Sequence, residues 1–580
     1  MCAAKIDMEE VEAVLHDLPT GKAAGPDAIP NKIYKTHRKR LAPILLKVFN
    51  DALSKGQLPS SMLEGIVTLL YKKGSRKRPT QYRPITLLNN DYKILTRILT
   101  KRMNVAVVQF VSDCQNGFVP GGFIAENTML LKLLQAIAEA EDSESFFLLA
   151  DMEKAFDIGS WDYLHEALKN LGLDEFDKWV QLAYNHDNPP RRRLYVNGYL
   201  GPEFELHAGV AQGCPLSPLL FLAITEALSR MIKRDKSIVG IRTGGITHKL
   251  SQYADDSTMI LHASDYDPTA QRGHLKHMRI WCSGTNQREN RGKQEAIMLG
   301  KFARTRTFPP GLTAKTATDK NPAISLGIPY CTGSEHDWIQ EKYLAAKKKM
   351  TTWPHLGSAP LDARQALCQS KLYGSLRYYL FSFNFPQALH HSIKSDAAHL
   401  LWKNDPKFHA LEYGSKRDFN PWIAQHARPR PIKEGGAAEM DWDAHVEAFK
   451  AQWMRRYLDP RKAPWKTVVD YLLRDVIRDN QIGRAIVLSD KVSLADLVRQ
   501  IPGRAVYLRQ CIQAFRALPL EYQATSTTHH AAVPIFHHPH INAIRNKVDK
   551  AAKEWGAHLK TRRLKDLTDA RGEPFTDQHW

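Results

Sequence analysis

The sequence predicts an α+β fold. Short apolar, strand-like runs and amphipathic helices are mixed through the first 335 residues without the regular alternation of a doubly wound sheet, and beyond that point the pattern turns mostly helical. Taken in order, Asp7 followed by Glu10 predicts a capping box that opens the helix MEEVEAVLHDL, which PTGKAAGPDAIP then stops with glycine and proline. A basic helix follows. The stretch KKGSRKRPTQYRPI carries six Lys and Arg between residues 72 and 83 with few apolar positions, and so reads as a solvated, phosphate-facing finger. FFLLADMEKAFD, residues 146 to 157, is a short buried strand that ends on Asp151. In RRRLYVNGYLGPEFEL, Asn197-Gly198 between two strand-like runs is a strong hairpin signal. In CPLSPLLFLAITEALSRMIKR, Ser217 is expected as N-cap and Pro218 as first residue of an apolar-faced helix. YADD, residues 253 to 256, sits on the turn before a second apolar strand, STMIL.

Composition narrows the partners. At 580 residues the chain exceeds one core and suggests two to four units; with 43% hydrophobic and 24% charged residues it should be globular. The 81 Lys and Arg outnumber 61 Asp and Glu, a formal charge of +20 that suits a chain meeting polyanions. Seven cysteines without a CxxC pair or regular spacing argue against a disulfide framework or zinc finger and fit a reducing compartment. The start MCAAKIDMEE has no apolar signal region and no run of eighteen apolar residues occurs, so neither secretion nor membrane spanning is supported.

Asp151 and Asp255 lie 104 residues apart, yet two neighbouring antiparallel strands would bring them together. Bare, they would repel. A pair of acids at strand ends in a basic protein makes sense if divalent cations sit between them, because hard oxygen ligands suit Mg²⁺ and two metals about 4 Å apart can clamp an in-line phosphoryl displacement. Taken alone, an Asp-Asp pair is ordinary turn chemistry.

The pair is not alone. GKAAGPDAIP (21–30), LYKKG (70–74), YRPITLLN (82–89), QNGFVPG (115–121), DMEKAFD (151–157), GVAQGCPLSPLLF (209–221), YADD (253–256), NRGK (290–293) and SLGIP (325–329) follow one another in an order and spacing that resembles the reverse transcriptases of non-LTR (LINE-type) retrotransposons. The resemblance runs from about residue 7 to 335. It continues more weakly through LLWKND, KEGGAAEMDW and VPIFHHPHI, which resemble the family's thumb and following region.

The resemblance implies two Mg²⁺ ions, with Mn²⁺ as an alternative, bridged by Asp151 and Asp255 with Asp256 as a weaker neighbour. It implies that Phe156 is a bulky ring beneath the incoming sugar that selects dNTPs over rNTPs; the plain alternative is simple core packing. Lys72 and Arg83 match triphosphate ligands, the Arg as a planar fork and the Lys as a point charge. Gln212 and Gly213 match residues close to the nascent base pair, where glycine admits backbone approach. Lys293 matches the lysine proposed to protonate the leaving pyrophosphate, although an exposed structural lysine is the plain alternative. SLGIP resembles the primer grip, a hairpin acting through shape. Gly122 stands where the family usually carries Arg. The cluster His529, His530, His537, His538 and His540 matches no family zinc motif.

The implied architecture is a right-hand polymerase: N-terminal extension and fingers over 1–145, a palm with an antiparallel sheet over 146–335, a thumb over 336–430 and a helical C-terminal region over 431–580. The implied reaction is RNA-templated addition of dNTPs to a DNA primer 3′-hydroxyl, by inference in target-primed reverse transcription in the nucleus. No endonuclease or ribonuclease H signature is found, so target cleavage is expected from elsewhere. The alternatives are a group II intron-type reverse transcriptase with maturase activity, or a decayed copy that binds RNA without catalysis.

Overall fold

In the computed structural model, which describes residues 5–518 apart from 313, 319, 331–334, 352–358, 404–427, 430–433, 435–438, 481–482 and 490–491, strands and helices interleave as an α+β fold. Strands β1 (Glu64–Tyr71) and β2 (Tyr82–Leu88) flank the basic loop, β3 (Ser145–Ala150) ends just before Asp151, and β4 (Arg191–Val196) and β5 (Tyr199–Glu205) form a hairpin. Then come the hairpin β6 (Ile241–Thr243) and β7 (Ile246–His248), the strands β8 (Leu250–Tyr253) and β9 (Asp256–His262), and β10 (Glu295–Met298), β11 (Lys315–Thr316), β12 (Ala323–Ser325) and β13 (Ile328–Tyr330).

Two sheets organise the site. The first has the order β2-β1-β4-β5, parallel only between β1 and β4. The second has the order β11-β10-β3-β9-β8. Its pairings are antiparallel as expected, except that the two-residue edge strand β11 runs parallel to β10, which makes the sheet mixed. In β3–β9 the register pairs Ala150 with Ser257, so Asp151 emerges opposite Asp256.

Period-2 alternation explains why this sheet is buried on both faces. Phe146, Leu148, Met259, Leu261, Ala296 and Met298 face one core, packed by the helices Met8–Asp17, Arg38–Lys55, Asn90–Phe110 and Ser217–Arg234. Phe147, Ile260 and Ile297 face the other, packed by Ile124–Ala140 and by the helices Trp442–Leu458 and Val506–Ala517. Phe146 and Phe147 are both 0% exposed, and each such ring contributes roughly 1.5–3 kcal/mol of burial that fixes the strand carrying Asp151.

The capping box forms as expected: the Glu10 amide donates to Asp7 Oδ1 at 2.9 Å and the Asp7 amide to Glu10 Oε2 at 3.1 Å. Asn197 (φ 50°) and Gly198 (φ 88°) make the two-residue primed turn of the β4–β5 hairpin. The helix after QGCPL departs from expectation by one residue. It begins on Ser217 with Pro218 in its first turn, and Ser217 caps nothing; its hydroxyl lies 3.2 Å from that of Tyr184. From His336 to Ala517 the described secondary structure is helical. The cluster His529 to His540, the motif VPIFHHPHI, the last two residues of LLWKND and the glycine run of KEGGAAEMDW lie outside the described residues. No helix among the described residues is long and apolar enough to cross a membrane.

Candidate active site

The carboxylates are presented by a strained turn that a distant segment holds in place. Tyr253 pairs with Asp256, leaving Ala254 and Asp255 as a two-residue turn between β8 and β9. Ala254 has φ 56°, a conformation that glycine usually supplies. Gln115 braces it on both polar atoms: the Ala254 amide donates to Gln115 Oε1 at 2.8 Å, and Gln115 Nε2 donates to the Ala254 carbonyl at 3.1 Å. The Asn116 amide donates to the Gln252 carbonyl at 3.1 Å and the Gln252 amide to the Cys114 carbonyl at 2.8 Å. Asn127 adds bonds to Ser251 Oγ and the Gln252 carbonyl, at 2.9 and 2.8 Å. Gln115, Asn116, Asn127 and Gln252 are all buried, so each bond acts in a low dielectric, where an unmade one is costly.

Gly117 completes the brace. A Cβ there would lie 2.2 Å from the Ala254 nitrogen, a backbone atom that cannot move without disturbing the turn. Gly117→Ala is therefore expected to destabilise the protein by roughly 1–3 kcal/mol, the range for overpacking. A thermal melt unchanged from wild type would contradict that.

Around this turn the separated motifs converge on one cavity. A space of 440 Å³ is lined by Asp151 and Asp255, by Lys72 just past β1 and Arg83 in β2, and by Phe156, Gln212, Gly213 and Lys293. Asp256 opens onto an adjoining cleft of 810 Å³, which shares Lys72, Asp151 and Lys293 and is walled by Ser325, Leu326 and Gly327. The SLGIP segment is the turn of the β12–β13 hairpin, with Leu326 at φ 50° and Gly327 at φ 78°, and Tyr378 Oη donates to the Leu326 carbonyl at 2.6 Å.

Loss of hydration, with the crowding of anions second, shapes the electrostatics. Loss of hydration raises the Asp255 carboxyl above its usual range and the Asp151 charge adds to this, while Lys72 and Arg83 oppose it. Asp256 is pushed up to about 6 by loss of hydration, then by the charges of Asp255 and Asp151. Asp151 is turned onto cations and amides: Lys293 Nζ donates to its Oδ2 at 2.9 Å, and Asn290 Nδ2 donates to the same oxygen at 3.3 Å. Among the described residues no three acidic, histidine or cysteine side chains stand ready-made as a metal cage. The donor chemistry nevertheless fits divalent ions, since Asp151 stands beside Asp255 and Asp256 as a third hard-oxygen donor, and the charge of those two is disfavoured where they stand.

The other residues of this cavity take their positions from local contacts. The Phe156 ring is half-buried and stacks on Phe221 at 4.5 Å and 23°, so it belongs both to the core's edge and to the cavity wall. Gln212 Nε2 donates to Asp157 Oδ1 at 3.0 Å, and the Thr86 amide donates to the Gln212 carbonyl at 2.7 Å. Gly213 has φ 130°, and a Cβ there would stand 2.4 Å from the Thr86 carbonyl oxygen. Its freedom thus admits β2, the strand of Arg83, to the loop. Gly122 has no room for any side chain, as a Cβ would meet the Asn116 carbonyl oxygen at 2.2 Å. The motif QNGFVPG carries no local sign of the roles of Gln115 and Gly117, because their partner Ala254 lies 139 residues away from Gln115 and spacing does not announce it.

Residues 71–329 match the family described as reverse transcriptase (RNA-dependent DNA polymerase). The chain is similar to the transposon TX1 uncharacterized 149 kDa protein of Xenopus laevis, 25% identical over 479 residues, covering 81% of this chain and 35% of that protein. It is also similar to the retrovirus-related Pol polyprotein from type-2 retrotransposable element R2DM of Drosophila melanogaster, 28% identical, covering 40% and 21% of the two chains. The probable RNA-directed DNA polymerase from transposon BS of the same fly is 28% identical, with 63% and 38% covered. The chain thus spans between 21% and 38% of the length of these relatives.

Proposed function

We propose that this chain, whose residues 71–329 match the reverse transcriptase family and which is similar to proteins of retrotransposable elements, is an RNA-directed DNA polymerase that extends a DNA primer 3′-hydroxyl on an RNA template, in target-primed reverse transcription in the nucleus. The observation that carries the reading is the single cavity joining the acids Asp151 and Asp255, the cations Lys72 and Arg83, and the aromatic wall Phe156. Acids, cations and an apolar wall together suit a nucleoside triphosphate: charge at one end, a sugar and a flat base at the other.

Each side chain then has one task. Arg83 presents a planar fork to phosphate oxygens and Lys72 a point charge. Phe156 lies beneath the sugar, where a 2′-hydroxyl would meet the ring. The Gln212-Gly213 loop, tied to β2 through Thr86, holds the nascent base pair against that wall. Lys293, paired with Asp151, is placed to give a proton to the leaving pyrophosphate. Asp151, Asp255 and Asp256 would hold two divalent ions, Mg²⁺ or Mn²⁺, whose chemistry is to lower the pKa of the primer hydroxyl and neutralise the departing charge. In this reading residues 1–145 supply the N-terminal extension and fingers, 146–335 the palm, 336–430 the thumb and 431–580 a helical C-terminal region.

The basic surface gives a separate expectation. RNA affinity should fall steeply with salt, with a log–log slope of roughly −0.7 per phosphate contact on single strands. Fluorescence anisotropy across a salt series checks this, and a flat response would mean that the charge serves solubility alone. The function itself is tested by giving one DNA primer to the chain on an RNA template and on a DNA template of equal sequence. Extension on RNA is expected; extension on DNA alone, or on neither, contradicts the proposal.

A further inference from the structure

Phe118 is an exposed aromatic residue in a backbone conformation that aromatic residues avoid. Its φ is 59°, in the left-handed region, and the residue is 43% exposed, so neither backbone preference nor burial accounts for it. The conformation is imposed from both sides. On one, the Gly117 amide donates to Gln115 Oε1 at 2.8 Å, the same oxygen that braces Ala254. On the other, the Gly122 amide donates to the Val119 carbonyl at 2.9 Å, closing a turn just past Phe118. The ring so projected stands nearly perpendicular to Phe156, at 88°, with centroids 6.4 Å apart. Edge-to-face pairs of this kind are a favoured aromatic geometry.

Phe156 is thus held by two rings of opposite character. Phe221, 1% exposed and set in the helix Ser217–Arg234, stacks on it from the core. Phe118, 43% exposed, meets it edge to face. A wall excludes a single oxygen atom only while it cannot tilt, and a second ring at right angles to the first opposes a tilt that stacking on Phe221 alone opposes less. We propose that Phe118 is a positioning residue for the sugar wall, holding Phe156 rigid so that a 2′-hydroxyl is rejected. This rests on the reading of Phe156 as that wall. The segment Gln115–Phe118 would then serve both halves of the site, bracing the carboxylate turn through Gln115 and Gly117 and the sugar wall through Phe118.

The test is the ratio of kcat/KM for dNTP and rNTP, in which loss of folded enzyme cancels. Phe118→Asn removes the ring while suiting the left-handed backbone, since asparagine tolerates that region. Phe118→Tyr keeps the ring. The dNTP preference should fall roughly two- to tenfold in Phe118→Asn, the range that aromatic-pair energies span, and should stay at wild type in Phe118→Tyr. Phe156→Val is run alongside. If it lowers the preference while Phe118→Asn leaves it unchanged, the brace is overturned and the wall stands. If neither variant moves the ratio, both readings fall. A rate lost equally for dNTP and rNTP in Phe118→Asn would assign the ring to the template or the fold and overturn the brace as well.

Discussion

Asp255→Asn is expected to abolish primer extension while leaving RNA affinity within about twofold of wild type. Asparagine keeps the shape of the carboxylate but removes a charge that a divalent ion needs, and metal-ion stabilisation of a phosphoryl transition state is worth several kcal/mol. At about 1.4 kcal/mol per tenfold in rate, that is a loss of roughly three decades. The turn itself should survive, because Gln115 grips the backbone of Ala254 and not the Asp255 side chain. Asp151→Asn follows the same logic, with one added consequence: it releases Lys293, whose ammonium lies 2.9 Å from the carboxylate. Quantitative extension kinetics beside an anisotropy measurement of RNA binding separates the two effects. Extension within tenfold of wild type in either variant would sink the assignment of these acids as metal ligands.

Phe156→Val is the second large effect, and it concerns selection and not rate. Valine withdraws the ring from the cavity wall, so rNTP incorporation should rise relative to dNTP by about tenfold or more, the scale of a hydrophobic contact of 1–3 kcal/mol gained or lost in a binding pocket. The stacking partner Phe221 stays behind, and the void left beside it should cost on the order of 1–3 kcal/mol of stability. That cost falls on both substrates alike. A dNTP to rNTP ratio that does not change would return Phe156 to plain core packing.

Much of the frame was legible because it is written in short-range chemistry. The capping box of Asp7 and Glu10 and the Asn197-Gly198 turn depend on neighbours a few residues apart. The strands ending at Asp151 and beginning at Asp256 show as apolar runs because the sheet is covered on both faces. Ser217 was misplaced by one because its hydroxyl meets Tyr184, a partner that no local pattern announces. The parallel edge strand β11 is only Lys315–Thr316, too short to carry a period. The brace on the Ala254-Asp255 turn stayed invisible for a deeper reason. Gln115 and Gly117 act on a turn 139 residues from Gln115, through backbone atoms whose position exists only once β8 and β9 have paired. The acids could be found from their chemistry; what aims them could not.

The most direct measurement is addition of dTTP to an oligo(dT) primer on poly(rA) by the purified chain in Mg²⁺, followed before and after chelation. The convergence of Asp151, Asp255, Lys72 and Arg83 on one cavity predicts a ladder of primer products that stops growing when the ion is removed and resumes when it is restored. No extension in Mg²⁺ or Mn²⁺, or extension indifferent to chelation, would contradict it.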